Sequence, residues 1–215
     1  MQPLSNIRRE YSQANLTNDT LDNDPFVQFE RWMSEAVEAG LSDPTAMTVA
    51  TVDQQGHPSQ RIVLLKDVSH AGFTFYTNLA SRKAHDIAAN KHLSLHFPWH
   101  TQERQVMVRG SAQLLPRDEV ALYFASRPRL SQLAAWTSHQ SEPIASREAL
   151  LARFEHIQQK FQDRVIPVPD FWGGYRVVPL EIEFWQGGQH RLHDRFVFSR
   201  PTPADRNWTI QRLMP

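Results

Sequence analysis

The run Gly187-Gly188-Gln189-His190-Arg191-Leu192-His193-Asp194-Arg195 gathers two arginines and two histidines close behind Trp185. Arg191 and Arg195 are cations at any physiological pH, and His193 titrates near neutrality. In an extended segment alternate side chains share a face, so Arg191, His193 and Arg195 are expected to point the same way. Such a row combines fixed positive charge with proton-transfer capacity. A solvated loop is the plainer reading of the same residues.

Three further basic groups carry binding chemistry. Arg61 and Lys66 bracket Arg61-Ile62-Val63-Leu64-Leu65-Lys66, and their odd separation predicts opposite faces of an ideal strand. Tyr76, Thr77, Arg82 and Lys83 stand where a strand runs into a helix; hydroxyls, backbone donors and two cations at a helix start suit a phosphate. Tyr123 and Arg127 lie four apart on one helix face, and Ser131 follows across Pro128, a donor set that suits a second phosphate.

The bulk composition narrows the partners. Lys plus Arg is 23 and Asp plus Glu is 23, so the formal net charge is zero. A neutral chain is a poor nonspecific binder of nucleic acid or membrane surfaces, so local clusters of cations point to a small anionic ligand. The absence of cysteine excludes disulfides, thiolate nucleophiles and zinc-thiolate sites. His92, His96 and His100 are spaced for a metal only on a helix, whereas Leu93 to Phe97 alternates like a strand, so no metal is expected. No Ser/His/Asp triad can be assembled, and neither G-x-G-x-x-G nor a P-loop occurs. No apolar run approaches the ~20 residues of a membrane span, and the polar N-terminus lacks a secretory core, so a soluble cytoplasmic protein is expected.

The elements that must position these groups follow from periodicity. Residues 1–23 are polar and read as a flexible arm or lid, ahead of a single domain over 24–215. Asp24-Pro25 opens a helix with Phe26, Phe29, Met33, Ala36 and Val37 on one stripe, stopped by Gly40. Strands are predicted over Ala46–Val52, Ser59–Lys66, Gly72–Thr77, Leu93–Phe97 and Arg104–Leu115. Ser81 is a plausible cap for a helix over 81–90. Helices follow over 117–126, 128–138 and 146–162, the last with Leu150, Leu151, Phe154, Ile157 and Phe161 on one stripe. Pro167, Pro169 and Gly173-Gly174 mark a long loop before strands over 175–185 and 195–199 and a closing strand over 208–213. Five strands, then helices, then two or three strands indicate a mainly β protein: an antiparallel β-barrel with peripheral helices.

The segments RIVLLK (61–66), FYTNLASRKAHDI (75–87), FPWHTQERQVMVRG (97–110), SRPRLSQLAAW (126–136), FWGGYRV (171–177) and IEFWQGGQHRLHDR (182–195) resemble the pyridoxamine 5′-phosphate oxidase family. The resemblance runs from about Arg8 to the C-terminus. It implies an FMN-binding split β-barrel and a homodimer with FMN at the subunit interface. It also implies oxidation of pyridoxamine or pyridoxine 5′-phosphate to pyridoxal 5′-phosphate. Oxygen would be the acceptor, hydrogen peroxide the by-product, and ammonia a further product from the amine. By the same resemblance, FMN-contacting positions match Arg61, Ile62, Val63, Leu64, Leu65, Lys66, Tyr76, Thr77, Arg82, Lys83, Gln105, Gln140, Ser141, Trp185 and Arg195. Substrate-contacting positions match Lys66, Tyr123, Arg127, Ser131, Arg191, Leu192 and His193, with Arg8, Arg9, Glu10 and Tyr11 in the arm. Arg191 and His193 are implied nearest the reacting carbon. Two other readings share parts of this pattern: another split-barrel FMN-dependent reductase, and a non-catalytic carrier of pyridoxal phosphate.

Overall fold

In a computed structural model of the chain, which describes residues 3–7 and 9–215, nine strands form one antiparallel sheet that curls around an apolar interior. Arg8, implied in the arm, lies outside the described residues. The chain opens on helix α1 (Pro25–Glu38), whose N-cap Asp24 accepts a hydrogen bond from the Phe26 N–H, with Pro25 in the first turn. Phe26, Phe29, Trp32 and Ala36 of α1 are buried, whereas Val37, expected on the same stripe, is exposed.

Strands β1 (Ala46–Val52) and β2 (Pro58–Leu64) pair as a hairpin; β3 (Asp67–Ser69) and β4 (Gly72–Asn78) form the next. Helix α2 (Arg82–Ala89) leads to β5 (His92–Trp99) and β6 (Arg104–Leu114). Helices α3 (Arg117–Ser126), α4 (Arg129–Thr137) and α5 (Arg147–Lys160) precede the long β7 (Trp172–Gln186), β8 (Asp194–Ser199) and β9 (Thr209–Leu213). The main path runs β2-β1-β5-β6-β7-β4-β3, and β8 and β9 extend from β7.

Strand β7 makes the split. Its first half, Trp172 to Val177, pairs with β4; its second half, Glu181 to Gln186, pairs with β8; β6 runs along its other edge. The β6–β7 register shifts between Arg109 and Gly110, and there a Cβ on Gly110 would sit 2.2 Å from the Val178 carbonyl oxygen. Only glycine allows that backbone approach, so the bulge and the bend it gives the sheet are written at this position.

Alternation places the core. Strand β5 buries Leu93, Leu95, Phe97 and Trp99 on one face, and Phe29 packs against Phe73, Phe97 and Trp99 with ring centroids 5.0, 4.9 and 5.7 Å apart. A second apolar cluster holds α3, α4 and α5 against Trp172. The stripe expected on α5 is only partly used: Ile157 is buried, but Leu150 and Leu151 are exposed, because α5 packs mainly on α4. The expected loop at Gly173-Gly174 is instead the start of β7. A Cβ there would meet Leu79 at 2.8 Å from Gly173, and Leu115 and Tyr76 at 2.7 Å from Gly174, so these glycines admit close packing rather than a turn. Among the described residues no helix is long and apolar enough to cross a membrane.

Candidate functional site

The ends of β2 and β4, the start of α2, and α3 with the C-terminal part of α4 enclose a cavity of about 700 Å³. Arg61, Lys66, Arg82, Lys83 and Arg127 all line it, and no Asp or Glu among the described residues does. Ile62, Val63, Leu64, Tyr76, Thr77, Tyr123, Gln140 and Ser141 complete the expected residues found on its wall.

Arg61 and Lys66 were expected on opposite faces, yet both face this cavity. Strand β2 ends at Leu64; the Leu65 N–H then donates to Thr45 O and the Lys66 N–H to Thr74 O, so the chain turns toward β4 and strand alternation no longer applies. Leu65 itself is in the apolar core, away from the cavity. Ser81 occupies the N-cap of α2 without a side-chain capping bond; its hydroxyl accepts from Lys83 instead. Helix α3 ends at Ser126, so Arg127 reaches the cavity from an extended residue just beyond it. Ser131 does not line the cavity.

The electrostatics are those of a site for an anion. Lys83 is 6% exposed, and its Nζ donates to Thr77 Oγ1 at 3.0 Å, Ser81 Oγ at 3.3 Å and Gln140 Oε1 at 2.7 Å, all neutral acceptors. Burial, reinforced by nearby Arg61, pulls its ammonium down to about 8 from the ordinary 10.5. Arg61 donates to Thr51 Oγ1 at 2.7 Å and Ser59 Oγ at 2.6 Å, and lies 3.8 Å from Asp86, which stands behind it. Arg127 stacks over Trp172 at 4.8 Å and Phe124 at 5.6 Å, and its Nη1 is buried without a partner. Burial holds its guanidinium below the ordinary arginine value. Tyr76, Tyr123 and Trp172 stack nearly parallel beside it: Tyr76 and Tyr123 lie 3.9 Å apart at 12°, Tyr76 and Trp172 5.4 Å apart at 5°.

Lys83 gives a pH prediction. Its folded pKa lies below the unfolded one, so between about 8 and 10.5 the unfolded chain binds more protons and the ligand-free fold gains stability as pH rises. A bound phosphate favours the charged form. Affinity for a phosphate ester is therefore expected to be flat below pH ~8 and to weaken above it by up to about tenfold per pH unit. Titrations from pH 7 to 10 check this; Lys83→Arg should remove the break.

The remaining expected residues form a second group at the far end of β7. Tyr11 meets Trp185 edge-on at 5.9 Å and His193 at 5.5 Å, Trp185 lies 4.6 Å from His193, and the Arg191 guanidinium sits 5.5 Å over the Tyr11 ring. The Arg9 guanidinium also lies over the Tyr11 ring, at 5.2 Å, Glu10 accepts from the His190 N–H at 3.4 Å, and Leu192 is exposed. Gln105 pairs with Trp185 in the β6–β7 register and is hydrogen-bonded to His96. The expected common face of Arg191, His193 and Arg195 does not form. Residues 189–191 make a 3-10 turn with φ of 55° at His190 and 65° at Arg191, which breaks the alternation. Arg195 pairs with Glu183 at 2.7 Å. No lining residue of the large cavity belongs to this second group.

Ser59, Asn78 and Trp172 also line the cavity and carried no signal of their own. Trp172 stood within the quoted FWGGYRV segment, but its contact with Arg127 depends on a strand start that the glycines hid.

Fold and cavity together define a split β-barrel with a small-ligand pocket walled by cations. Residues 33–161 match the family model for pyridoxamine 5′-phosphate oxidase, and residues 172–215 match the pyridoxine 5′-phosphate oxidase C-terminal dimerisation region. The chain belongs to the pyridoxine/pyridoxamine 5′-phosphate oxidase family. It is 67% identical to the pyridoxine/pyridoxamine 5′-phosphate oxidase of Pseudoalteromonas atlantica over all of both chains. It is 55% identical to that of Escherichia fergusonii, over 100% of this chain and 97% of the other. Among solved structures, PhzG from Burkholderia lata, in complex with tetrahydrophenazine-1-carboxylic acid, superposes with a TM-score of 0.86 at 26% identity, covering 95% of this chain and all of that one. An FMN-binding protein from Nostoc punctiforme, related to pyridoxamine 5′-phosphate oxidase, has the same fold with a TM-score of 0.70 at 12% identity, covering 91% of this chain and all of that one.

Proposed function

We propose that this chain is a cytoplasmic FMN-dependent oxidase that converts pyridoxamine or pyridoxine 5′-phosphate to pyridoxal 5′-phosphate. Oxygen is the acceptor, hydrogen peroxide a by-product, and the amine substrate also yields ammonia. One observation carries the reading: in a chain of zero net charge, five cations and no carboxylate among the described residues line one cavity. Its donors fit phosphorylated ligands. Lys83 has only neutral acceptors and Arg127 Nη1 has none, so each gains most from an incoming anion.

Arg61, Arg82, Lys83 and Ser141 hold the FMN phosphate, and the Ser141 hydroxyl already accepts from the Arg82 N–H at the start of α2. Lys66, Tyr123 and Arg127 hold the substrate phosphate. FMN, when bound, supplies the redox chemistry by accepting two electrons from the substrate and passing them to oxygen. Arg191 and His193 orient the substrate. His193 Nδ1 accepts from the Gly188 N–H at 3.1 Å, which leaves the proton of the neutral ring on Nε2. Burial and then Arg191 lower its pKa, so at neutral pH His193 presents an Nε2–H donor.

The two groups of residues come together in a homodimer, with the cavity of one protomer completed by Trp185, Arg191, His193 and Arg195 of the other. Support comes from the dimerisation-region match over 172–215, which carries those four residues, and from Ile62, 72% exposed beside the cavity. Residues 1–23 serve as the lid.

Oxygen uptake with FMN and pyridoxamine 5′-phosphate tests the reading; a soluble, FMN-loaded protein without uptake would refute it. Arg127→Met is expected to raise KM for the phosphorylated substrate about 10–100-fold, since hydrogen bonds to charged groups contribute ~1.5–3 kcal/mol. The melting midpoint of the ligand-free protein should not fall, because the substitution removes a buried donor without a partner. A midpoint several degrees lower would make Arg127 a structural residue.

A further inference from the structure

We propose that Glu103 is a positioning residue that seats the N-terminal arm, and with it Tyr11, over Trp185 and His193. This rests on the oxidase reading above. Glu103 stands between β5 and β6 with its side chain 3% exposed. Its backbone is left-handed, with φ 56° and ψ 37°, an unfavourable state for a residue other than glycine.

Every polar partner of its carboxylate among the described residues belongs to the arm. Oε2 accepts from the Ser12 N–H at 2.9 Å and the Gln13 N–H at 3.2 Å, and Oε1 lies 3.3 Å from Arg9 Nη1. The same corner supplies two carbonyls: Arg9 Nη2 donates to His100 O at 3.0 Å and Gln13 Nε2 to Thr101 O at 2.7 Å. Tyr11 is held between these anchors. Further along, the Leu16 N–H donates to Asp194 Oδ2 at 3.0 Å, next to His193.

Glu103 also fixes the other side of the contact. Its carbonyl accepts from the Gly187 N–H at 2.7 Å, at the entry to the run that carries Arg191 and His193. A Cβ on Gly187 would lie 2.9 Å from the Tyr11 ring and 3.1 Å from the Glu103 Cβ. Arm, corner and Gly187 are therefore in direct contact. If the arm leaves, the Glu103 carboxylate loses two main-chain donors and the Arg9 cation together, so these charge-assisted contacts favour the seated arm. Because it grips main-chain N–H groups, it places Tyr11 without using the Tyr11 side chain.

The test uses the full chain loaded with FMN, as Glu103→Gln and Glu103→Gly. Glycine suits the left-handed backbone, so this variant keeps the corner unstrained while removing the seat. Hydrogen exchange at the Ser12 and Gln13 amides is expected to accelerate in both, more in Glu103→Gly. KM for pyridoxamine 5′-phosphate is expected to rise about tenfold in Glu103→Gly, with kcat within about threefold, as for a competent state depopulated about tenfold. Glu103→Gln, which keeps one acceptor oxygen, should fall between it and the parent. FMN affinity and melting midpoint should hold. Unchanged exchange overturns the seat. Faster exchange with an unchanged KM, or a loss confined to kcat, overturns its service to substrate binding. A parent protein with FMN but no oxygen uptake overturns the oxidase reading instead, whatever the exchange shows.

Discussion

Arg191→Ala is expected to lower kcat by about 2–4 kcal/mol of transition-state stabilisation, roughly 30- to 700-fold, with FMN still bound. The backbone supports a role beyond charge. His190 and Arg191 are consecutive non-glycine residues at φ 55° and 65°, inside one short turn. Each left-handed residue costs about 1–2 kcal/mol, and such strain persists where a side chain must be aimed. Arg191→Gly should therefore be more stable than Arg191→Ala by about 1 kcal/mol while equally slow. Denaturant midpoints and steady-state kinetics on the pair check both halves. The proposed composite site adds a sharper test. Arg127→Met and Arg191→Ala lesions would fall in different half-sites, so, at substrate well below the KM of Arg127→Met, co-refolding the two variants should restore about one quarter of parental activity through mixed dimers with one intact site. Activity no higher than that of the separate variants would place both residues in one chain's site.

Phe29→Ala is expected to cost about 3–5 kcal/mol of stability, the range for deleting a fully buried aromatic. Phe29 is 0% exposed and touches Phe73, Phe97 and Trp99, which belong to strands on separate parts of the curl. Its loss leaves a void where α1 closes the barrel. The melting midpoint should fall by roughly 6–20 °C for a chain of this size. Calorimetry checks the value; a shift below about 2 °C would mean that α1 contributes little to closing the interior.

Much of the barrel was legible because one face of each strand is buried. β1 and β5 alternate along their lengths, and Asp24 and Ser146 cap the helices whose starts they mark. The three-residue β3 is too short to show a period. The start of β7 was hidden because glycine signals a turn locally, whereas here it admits side chains from elsewhere in the fold. The groups at 76–83 and 123–127 were readable as two phosphate sites, and the resemblance joined 61–66 to the first; spacing alone put Arg61 and Lys66 on opposite faces, because their meeting in one cavity depends on where β2 ends and how the chain then crosses to β4. Glu103 gave no signal, because nothing local distinguishes a buried turn carboxylate from a solvated one.

The parallel rings of Tyr76, Tyr123 and Trp172 are contributed by β4, α3 and β7. Chromophores so close couple their electronic transitions, and the resulting near-ultraviolet circular dichroism depends on how the three elements sit against one another. The protein thus carries an intrinsic optical gauge of its own binding pocket, readable without a label and before any ligand is added.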